Sequence, residues 1–413
     1  MKHTKHILFL SYDGLTDPLG QSQIIPYLKG LCRYGYRFTI LSCDKPALYK
    51  SNKKAVEEQL TGAEIEWVSI PYHKSPPVLS SAYDYWQMKR MAYRLHRKYR
   101  FDMVHTRPGV PTVVALGMKK KFGIQFLNDV RGFWAQERVD GGMWNLKNIV
   151  YKQLYRFFRK HELQCLLQAD GLVCLTEAAR RIIMDETAVH HKTTDPVVIP
   201  CSADSVLFDP ASVNTGAQEA LKQQWGIEED ELVISYLGSI GGWYLIDEMM
   251  QFCHEVHASI PRARFLFISP HRHEQIVQAA QKYGIPSNRL ITVRAERNLV
   301  PLYLSLSHYN LFFIRPCYSK LASSPTKHGE VMAMGIPVIT NSGVGDMDDI
   351  ILRTQSGWLV ETFSREAYAD VVRRLQSQVP FNATAIRKSA LEIYGLQHAV
   401  EKYSQVYRNI LGD

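Results

Sequence analysis

The sequence predicts an α/β protein of two similar domains, each built on a parallel sheet, with a cleft between them. Three observations predict it. Short β-rich apolar runs alternate with longer helical patterns from end to end, and that alternation implies parallel sheet wound by right-handed crossovers. The alternation stops in a polar stretch near residues 186–215 and then restarts. The chain of 413 residues, at roughly 100–200 residues per domain, suits two domains.

In the first domain residues 6–11 read as a buried strand. Residues 21–34 read as a helix, with Ile24, Ile25, Leu28 and Leu31 at helical spacing. Strands over 38–42 and 65–70 follow, then a long helix over 82–100. Further strands fall at 103–106, 124–128 and 172–175, and 197–200 is one last strand. Two polar, turn-rich stretches at 190–196 and 209–216 mark the linker. The second domain opens with a strand at 232–237 and a helix at 245–260. Strands at 265–268, 290–293, 311–314, 336–340 and 358–360 follow, and three helical stretches finish the chain, the last over 397–411. The domains are therefore expected at 1–195 and 196–394, with a helix near 395–413 packing back on the first. Ligands of such sheets bind beyond the carboxyl ends of the strands.

Composition removes several classes. The chain is 46% hydrophobic and 22% charged, a globular balance that excludes intrinsic disorder. Its net charge of +9 is unevenly placed: residues 1–200 hold 30 Lys and Arg against 18 Asp and Glu, and the rest hold 19 against 22. All the excess positive charge lies in the first half. No apolar run approaches the roughly 20 residues that a spanning helix needs. The stretch after Met1 lacks the apolar core and cleavage site of a signal peptide. Seven cysteines, with no C-x-x-C, read as reduced thiols of a cytosolic protein.

The most informative segment runs from Ser323 through Ser324, Pro325, Thr326, Lys327 and Glu330 to Gly335 and Pro337. Ser324 suits an N-cap, Pro325 the first helical position, Gly335 a left-handed C′ and Pro337 a stop. A helix of about three turns is expected over 325–334. Its open N–H groups and positive dipole end make an anion site at residues 323–326. Lys327 adds a charge in the first turn, and Glu330 lies on the same face. One helix thus offers amides and an ammonium for a phosphate, and a carboxylate for sugar hydroxyls. The same residues also fit a capped helix with a surface Lys–Glu pair.

The segment resembles the P-T-K-x-x-E-x-x-A-x-G-x-P-V signature of family-4 glycosyltransferases of the group 1 type. Other stretches agree in order and spacing. Ser11-Tyr12-Asp13-Gly14-Leu15, with Gly20 and Gln21, is similar to the acceptor-facing loop after the first strand. Asp102 to Arg107 resembles a D-V-V-H-x-R strand end, and Asp129 to Trp134 a D-x-R-G-x-W. Ile199 to Asp204, with Phe208, resembles the linker motif, and Tyr236 to Ile240 the strand and glycine turn of the donor domain. The resemblance implies the GT-B fold, two facing Rossmann-like domains. It implies retaining transfer of a sugar from a UDP- or GDP-linked donor, held by the second domain, to a glycan or lipid-linked acceptor held by the first.

By the same resemblance Glu330 holds the ribose hydroxyls, while Lys327 and the helix N-terminus stabilise the departing diphosphate. Gly238 and Ser239 let backbone approach the phosphates, and Ser323, Ser324, Pro325 and Thr326 complete the donor site. Asp13, Gly14, Gly20 and Gln21 meet the acceptor. His105, Asp129 and Arg131, at predicted strand ends, are catalytic candidates that read equally as structural groups and a loop brace. Two positions depart from the pattern. Ala322 stands where the first Glu of E-x7-E is usual, and Gly241-Gly242-Trp243-Tyr244 stands where an Arg and a Lys usually follow the glycine turn. Lys327, Arg315 or Lys320 must then meet the phosphate charge. No cofactor and no metal are expected.

From Tyr83 to Arg100 eight aromatic or long apolar residues interleave with six Lys and Arg, and Trp144 to Lys160 repeats the style. Such helices suit an anionic membrane surface; the aromatics also fit core positions beneath solvated charges. The expected location is cytoplasmic, peripheral on the inner face of the cell membrane. No nucleic acid is expected, since no helix-turn-helix, zinc spacing or aromatic strand motif is present. A dinucleotide oxidoreductase lacks its G-x-G-x-x-G. A GT-B epimerase or phosphorylase remains the alternative enzyme, and a basic binding protein without catalysis the alternative class. His254 and His257, and His271 with His273, lack a third ligand. Asp346-Met347-Asp348 reads as a helix start with acids at the positive end of the dipole.

Overall fold

The computed structural model describes residues 4–76, 78–192, 195–377 and 379–412. Met1, Lys2 and His3, ahead of the first strand, and Thr193 and Thr194, in the linker stretch, lie outside the described residues. The chain forms two compact units. One runs through Pro200 and takes up the chain again from Leu396; the other is Cys201–Gly395.

The first unit holds seven strands: β1 (Lys5–Ser11), β2 (Tyr36–Asp44), β3 (Ile65–Pro71), β4 (Met103–Thr106), β5 (Gln125–Val130), β6 (Gly171–Cys174) and β7 (Val197–Val198). Their order is β3-β2-β1-β4-β5-β6-β7 and every pairing is parallel. The second unit holds β8 (Val233–Leu237), β9 (Arg264–Ile268), β10 (Leu290–Val293), β11 (Tyr309–Phe312), β12 (Val338–Asn341) and β13 (Gly357–Val360). Their order is β10-β9-β8-β11-β12-β13, again all parallel. In both sheets the winding reverses beside the first strand, between β1 and β4 and between β8 and β11. A crevice opens beyond the carboxyl ends at such a switch point. The loops after β1 and β4, and after β8 and β11, are therefore where function belongs.

Strands covered on both faces must be apolar throughout, and β1 obeys: Ile7, Leu8, Phe9 and Leu10 are all buried. The last helix, Leu396–Leu411, places Ala399, Val400, Tyr403, Val406 and Tyr407 in the core of the first unit. A 3.6-residue apolar period on one face is what allows it to pack there.

Two helices differ from expectation. The helix expected over 21–34 is two, Pro18–Gln23 and Ile25–Cys32, broken at Ile24. Pro26 lacks an N–H and its ring obstructs the preceding turn, so it begins a helix and cannot continue one. The helix expected over 325–334 is Thr326–Ala333, about two turns, with Pro325 extended (φ −67°, ψ 120°) as the capping residue. Ser324 does not cap it; its hydroxyl oxygen accepts the Cys201 N–H at 3.1 Å. The helix Met347–Thr354 does open with Asp348 and Asp349 in its first turn.

Candidate functional site

In the second unit the loop after β8 and the helix Thr326–Ala333 converge. Gly238 follows β8 with φ +115°, a conformation that disfavours any side chain. A Cβ there would stand 2.9 Å from the Lys327 Nζ. Lys327 thus reaches back from its helix to the glycine turn. It is buried, donates to the Tyr236 hydroxyl at 3.2 Å, and lies 3.6 Å from the Tyr244 ring centroid and 4.2 Å from that of Tyr236. Burial pushes its pKa well below the usual lysine value, with Glu330 pulling the other way. The ring faces supply part of the solvation that the ammonium lost.

Glu330, one turn on, is also buried and accepts from the Arg297 guanidinium at 2.8 Å. Burial raises its pKa, and Arg297 opposes that. Gly329 between them is fixed by packing: a Cβ would stand 2.9 Å from Cγ of Tyr394, whose hydroxyl meets His328 Nδ1 at 3.0 Å. Lys320 is buried with its Nζ 3.9 Å from the Trp243 ring centroid. The aromatic pair Trp243-Tyr244, at the place of the expected Arg and Lys, therefore carries two cations that come from further along the chain. Arg315 is exposed and joins this turn through its backbone N–H to the Trp243 carbonyl at 2.9 Å. Ser239 is exposed, and its carbonyl accepts the Tyr236 hydroxyl at 2.6 Å. Ser323, Ser324, Pro325 and Thr326 are all half-buried at the start of the helix.

The first unit brings His105, Asp129 and Arg131 together at the ends of β4 and β5, but not on an open face. His105 and Asp129 are 2% and 1% exposed. Tyr407 places its hydroxyl 2.7 Å from His105 Nδ1, and Tyr403 donates to Asp129 Oδ2 at 2.9 Å. Both tyrosines come from the last helix. His105 Nε2 and Arg107 Nη1 each stand 3.6 Å from Asp129 Oδ2. Burial pushes the Asp129 carboxyl up, yet Arg131, His105 and Arg107 together outweigh it and hold it at about 2. Burial pulls His105 below the usual imidazole value. Arg131 ties the loop down through the Ile199 carbonyl, the Tyr403 hydroxyl and the Gln23 side chain, each at 3.4 Å. The three side chains thus belong to one buried polar network closed by the last helix.

The loop after β1 is organised by a residue that sequence reasoning missed. Asp44, fully buried at the end of β2, accepts the Thr16 N–H (3.1 Å) and hydroxyl (2.9 Å), and the Ser42 (2.6 Å) and Ser69 (2.8 Å) hydroxyls. Gly14 and Gly20 are buried in this loop, and a Cβ on Gly14 would stand 2.6 Å from Asp44 Oδ1. Asp13 is exposed, and Gln21 is half-buried with its amide directed at the Thr16 carbonyl (3.4 Å). Arg297 and Asp44 were silent in the sequence, because a lone charged residue shows its value only through its partners.

The two basic stretches divide unequally. In the helix Leu79–Tyr99, Met88, Ala92 and Leu95 are core while Tyr83 and Trp86 are each 50% exposed. Around the helix Ile149–Gln168, Met143, Ile149, Val150 and Phe157 are all exposed, among exposed Lys147, Lys152, Arg156 and Lys160. No described helix is long and apolar enough to cross a membrane.

Residues 217–390 match the family model of glycosyl transferases, group 1. Sucrose-phosphate synthase from Thermosynechococcus elongatus has a similar structure, with a TM-score of 0.71 at 14% identity over 99% of each chain. A glycosyltransferase from Rickettsia africae ESF-5 gives 0.71 at 16% identity over 100% of each chain. Anabaena HepE in complex with UDP and glucose gives 0.68 at 14% identity, covering 98% of this chain and 99% of that one. Likeness at such identities shows the fold, which is GT-B. No curated protein matches the chain.

Proposed function

From the premise that this chain is a glycosyltransferase of the GT-B fold, with a group 1 transferase domain at residues 217–390, we propose that it retains anomeric configuration while moving a sugar from a nucleotide diphosphate to a lipid-linked glycan. The observation that carries the reading is the meeting of the Gly238 turn, the start of the helix Thr326–Ala333 and the Lys327 ammonium in one unit. A diphosphate placed there returns to Lys327 the counter-charge that burial denies it. The ammonium and the helix amides then face the charge that grows as the sugar leaves. Glu330, held by Arg297, is the carboxylate for the ribose hydroxyls. The complex of HepE with UDP and glucose supports a uridine diphosphate donor. Exposed Ile149, Val150 and Phe157 among lysines and arginines support an anionic membrane face for the acceptor, on the cytoplasmic side. The chemistry proposed uses no metal.

Thermal stabilisation by UDP against GDP identifies the donor base, since a ligand of the native state raises Tm. With that donor, Lys327→Met, which keeps volume and removes charge, and Glu330→Ala each lower transfer at least about 100-fold. Near wild-type rates in both variants would sink the assignment. Free epimerised sugar nucleotide as the product would move the chain to the epimerase reading.

A further inference from the structure

The first unit contains an imidazole–carboxylate pair that the donor chemistry does not use. Asp84, on the helix Leu79–Tyr99, is completely buried. Among the described residues it has no Lys or Arg partner. Its oxygens are instead filled from the loops after β3 and β1. His73 Nδ1 stands 2.6 Å from Oδ1, the His73 backbone N–H donates to Oδ2 at 3.1 Å, and the Tyr12 hydroxyl donates to Oδ2 at 2.9 Å. A buried carboxylate only accepts, so His73 Nδ1 must carry the proton. The His73 ring is further fixed edge-on to Tyr83, at 5.2 Å between centroids. The side chain is 39% exposed, and Nε2 has no partner among the described residues. Tyr12 follows the carboxyl end of β1, beside the switch point, and His73 follows the same end of the edge strand β3, so the pair lies on the ligand-facing end of the sheet.

We propose that His73 Nε2 is a hydroxyl-recognition point for a sugar acceptor, with Asp84 and Tyr12 as its positioning residues. In the neutral imidazole with Nδ1 protonated, Nε2 is a bare lone pair on a fixed vector, which accepts a hydrogen bond from an alcohol. Half-exposed Tyr83 offers an aromatic surface beside it for sugar C–H groups. A fully buried carboxylate is costly to place in a protein. Here its Oδ1, 2.6 Å from Nδ1, fixes the proton on that nitrogen and leaves Nε2 to face outward contacts. The proposal rests on the glycosyltransferase reading, in which the acceptor is held by this unit.

The test uses the full-length 15N-labelled chain at mildly alkaline pH, with His73 assigned by comparison with His73→Gln. Long-range proton–nitrogen spectra are expected to show Nδ1 protonated and Nε2 bare. Methyl α-glycosides of glucose, mannose and galactose are then titrated in. At least one should shift Nε2 upfield, and His73→Gln should bind that glycoside at least about fivefold more weakly, the scale of one hydrogen bond. Asp84→Asn, whose amide is free to donate to Nδ1, should invert the tautomer and abolish the shift. An Nε2-protonated ring in the wild type, or an Nε2 resonance that no glycoside moves, overturns the proposal. If Asp84→Asn does not fold, the wild-type tautomer and the His73→Gln affinity decide alone. UDP stabilisation of the wild-type chain reports separately on the transferase reading, so the two can fail independently.

Discussion

Replacing Tyr403 by Phe removes the hydroxyl that donates to the buried Asp129 carboxylate at 2.9 Å. Asp129 is 1% exposed, its Oδ1 has no hydrogen-bond partner among the described residues, and His105 Nε2 and Arg107 Nη1 stand 3.6 Å from its Oδ2. The 2.9 Å bond from Tyr403 adds to the Arg131, His105 and Arg107 charges that keep it ionised. A hydrogen bond to a charged group contributes about 1.5–3 kcal/mol net. No methyl-sized void is left, so the cost of Tyr403→Phe should be about 2 kcal/mol. For a unit of roughly 200 residues that corresponds to a fall in Tm of about 4–8 °C. Calorimetry suits the assay, since two units need not melt together. In the Asp129→Asn background the same substitution should cost at least about 1 kcal/mol less, because the charged acceptor is gone. A shift below about 1 °C, or strict additivity, would refute the brace. If His105 and Asp129 acted on substrate, transfer would fall while Tm stayed in place.

Three further outcomes follow from the same geometry. Asp129 is held at about 2 against about 3.9 in an unfolded chain, so it contributes roughly 2.5 kcal/mol of stability above the unfolded value. That contribution is lost as pH falls from about 4 toward 2, and urea midpoints measured down the acid limb should fall less steeply in Asp129→Asn. Gly329→Ala gains up to about 1 kcal/mol of helix propensity but places a methyl 2.9 Å from Tyr394. Overpacking costs about 1–3 kcal/mol, so Tm should fall by a few degrees, and an unchanged or raised Tm would show that Tyr394 gives way freely. Vesicles containing anionic lipid should float the chain in a salt-sensitive manner; Lys152→Glu with Arg156→Glu should weaken flotation, and equal flotation on neutral vesicles would remove the electrostatic part of the argument.

Strand–helix alternation and the restart near residue 200 made the two parallel sheets legible, because apolar period and turn residues are local properties. The helix Thr326–Ala333 was legible too, since Thr326 to Glu330 and Gly335-Ile336-Pro337 lie together in the chain. Its start was misplaced by one residue: the sequence offered Ser324 as cap, while the Cys201 N–H had already engaged that hydroxyl. The break at Ile24 was available in Pro26 and lost beneath the stronger apolar period.

Locally encoded features were thus determined by the sequence: strands, helix ends, the charge confined to the first half, and a cation beside a helix start. Tertiary structure alone decided which of those groups meet. It set Lys327 on Tyr244 and against Gly238, gave Glu330 its Arg297, and sealed His105 and Asp129 beneath Tyr407 and Tyr403, about 300 residues away along the chain. The physical reason is that burial and counter-charge are properties of a neighbourhood in space. A histidine in or just after a strand reads the same in sequence whether a helix from the far end of the chain covers it, as at His105, or it stays partly exposed against a buried aspartate, as at His73.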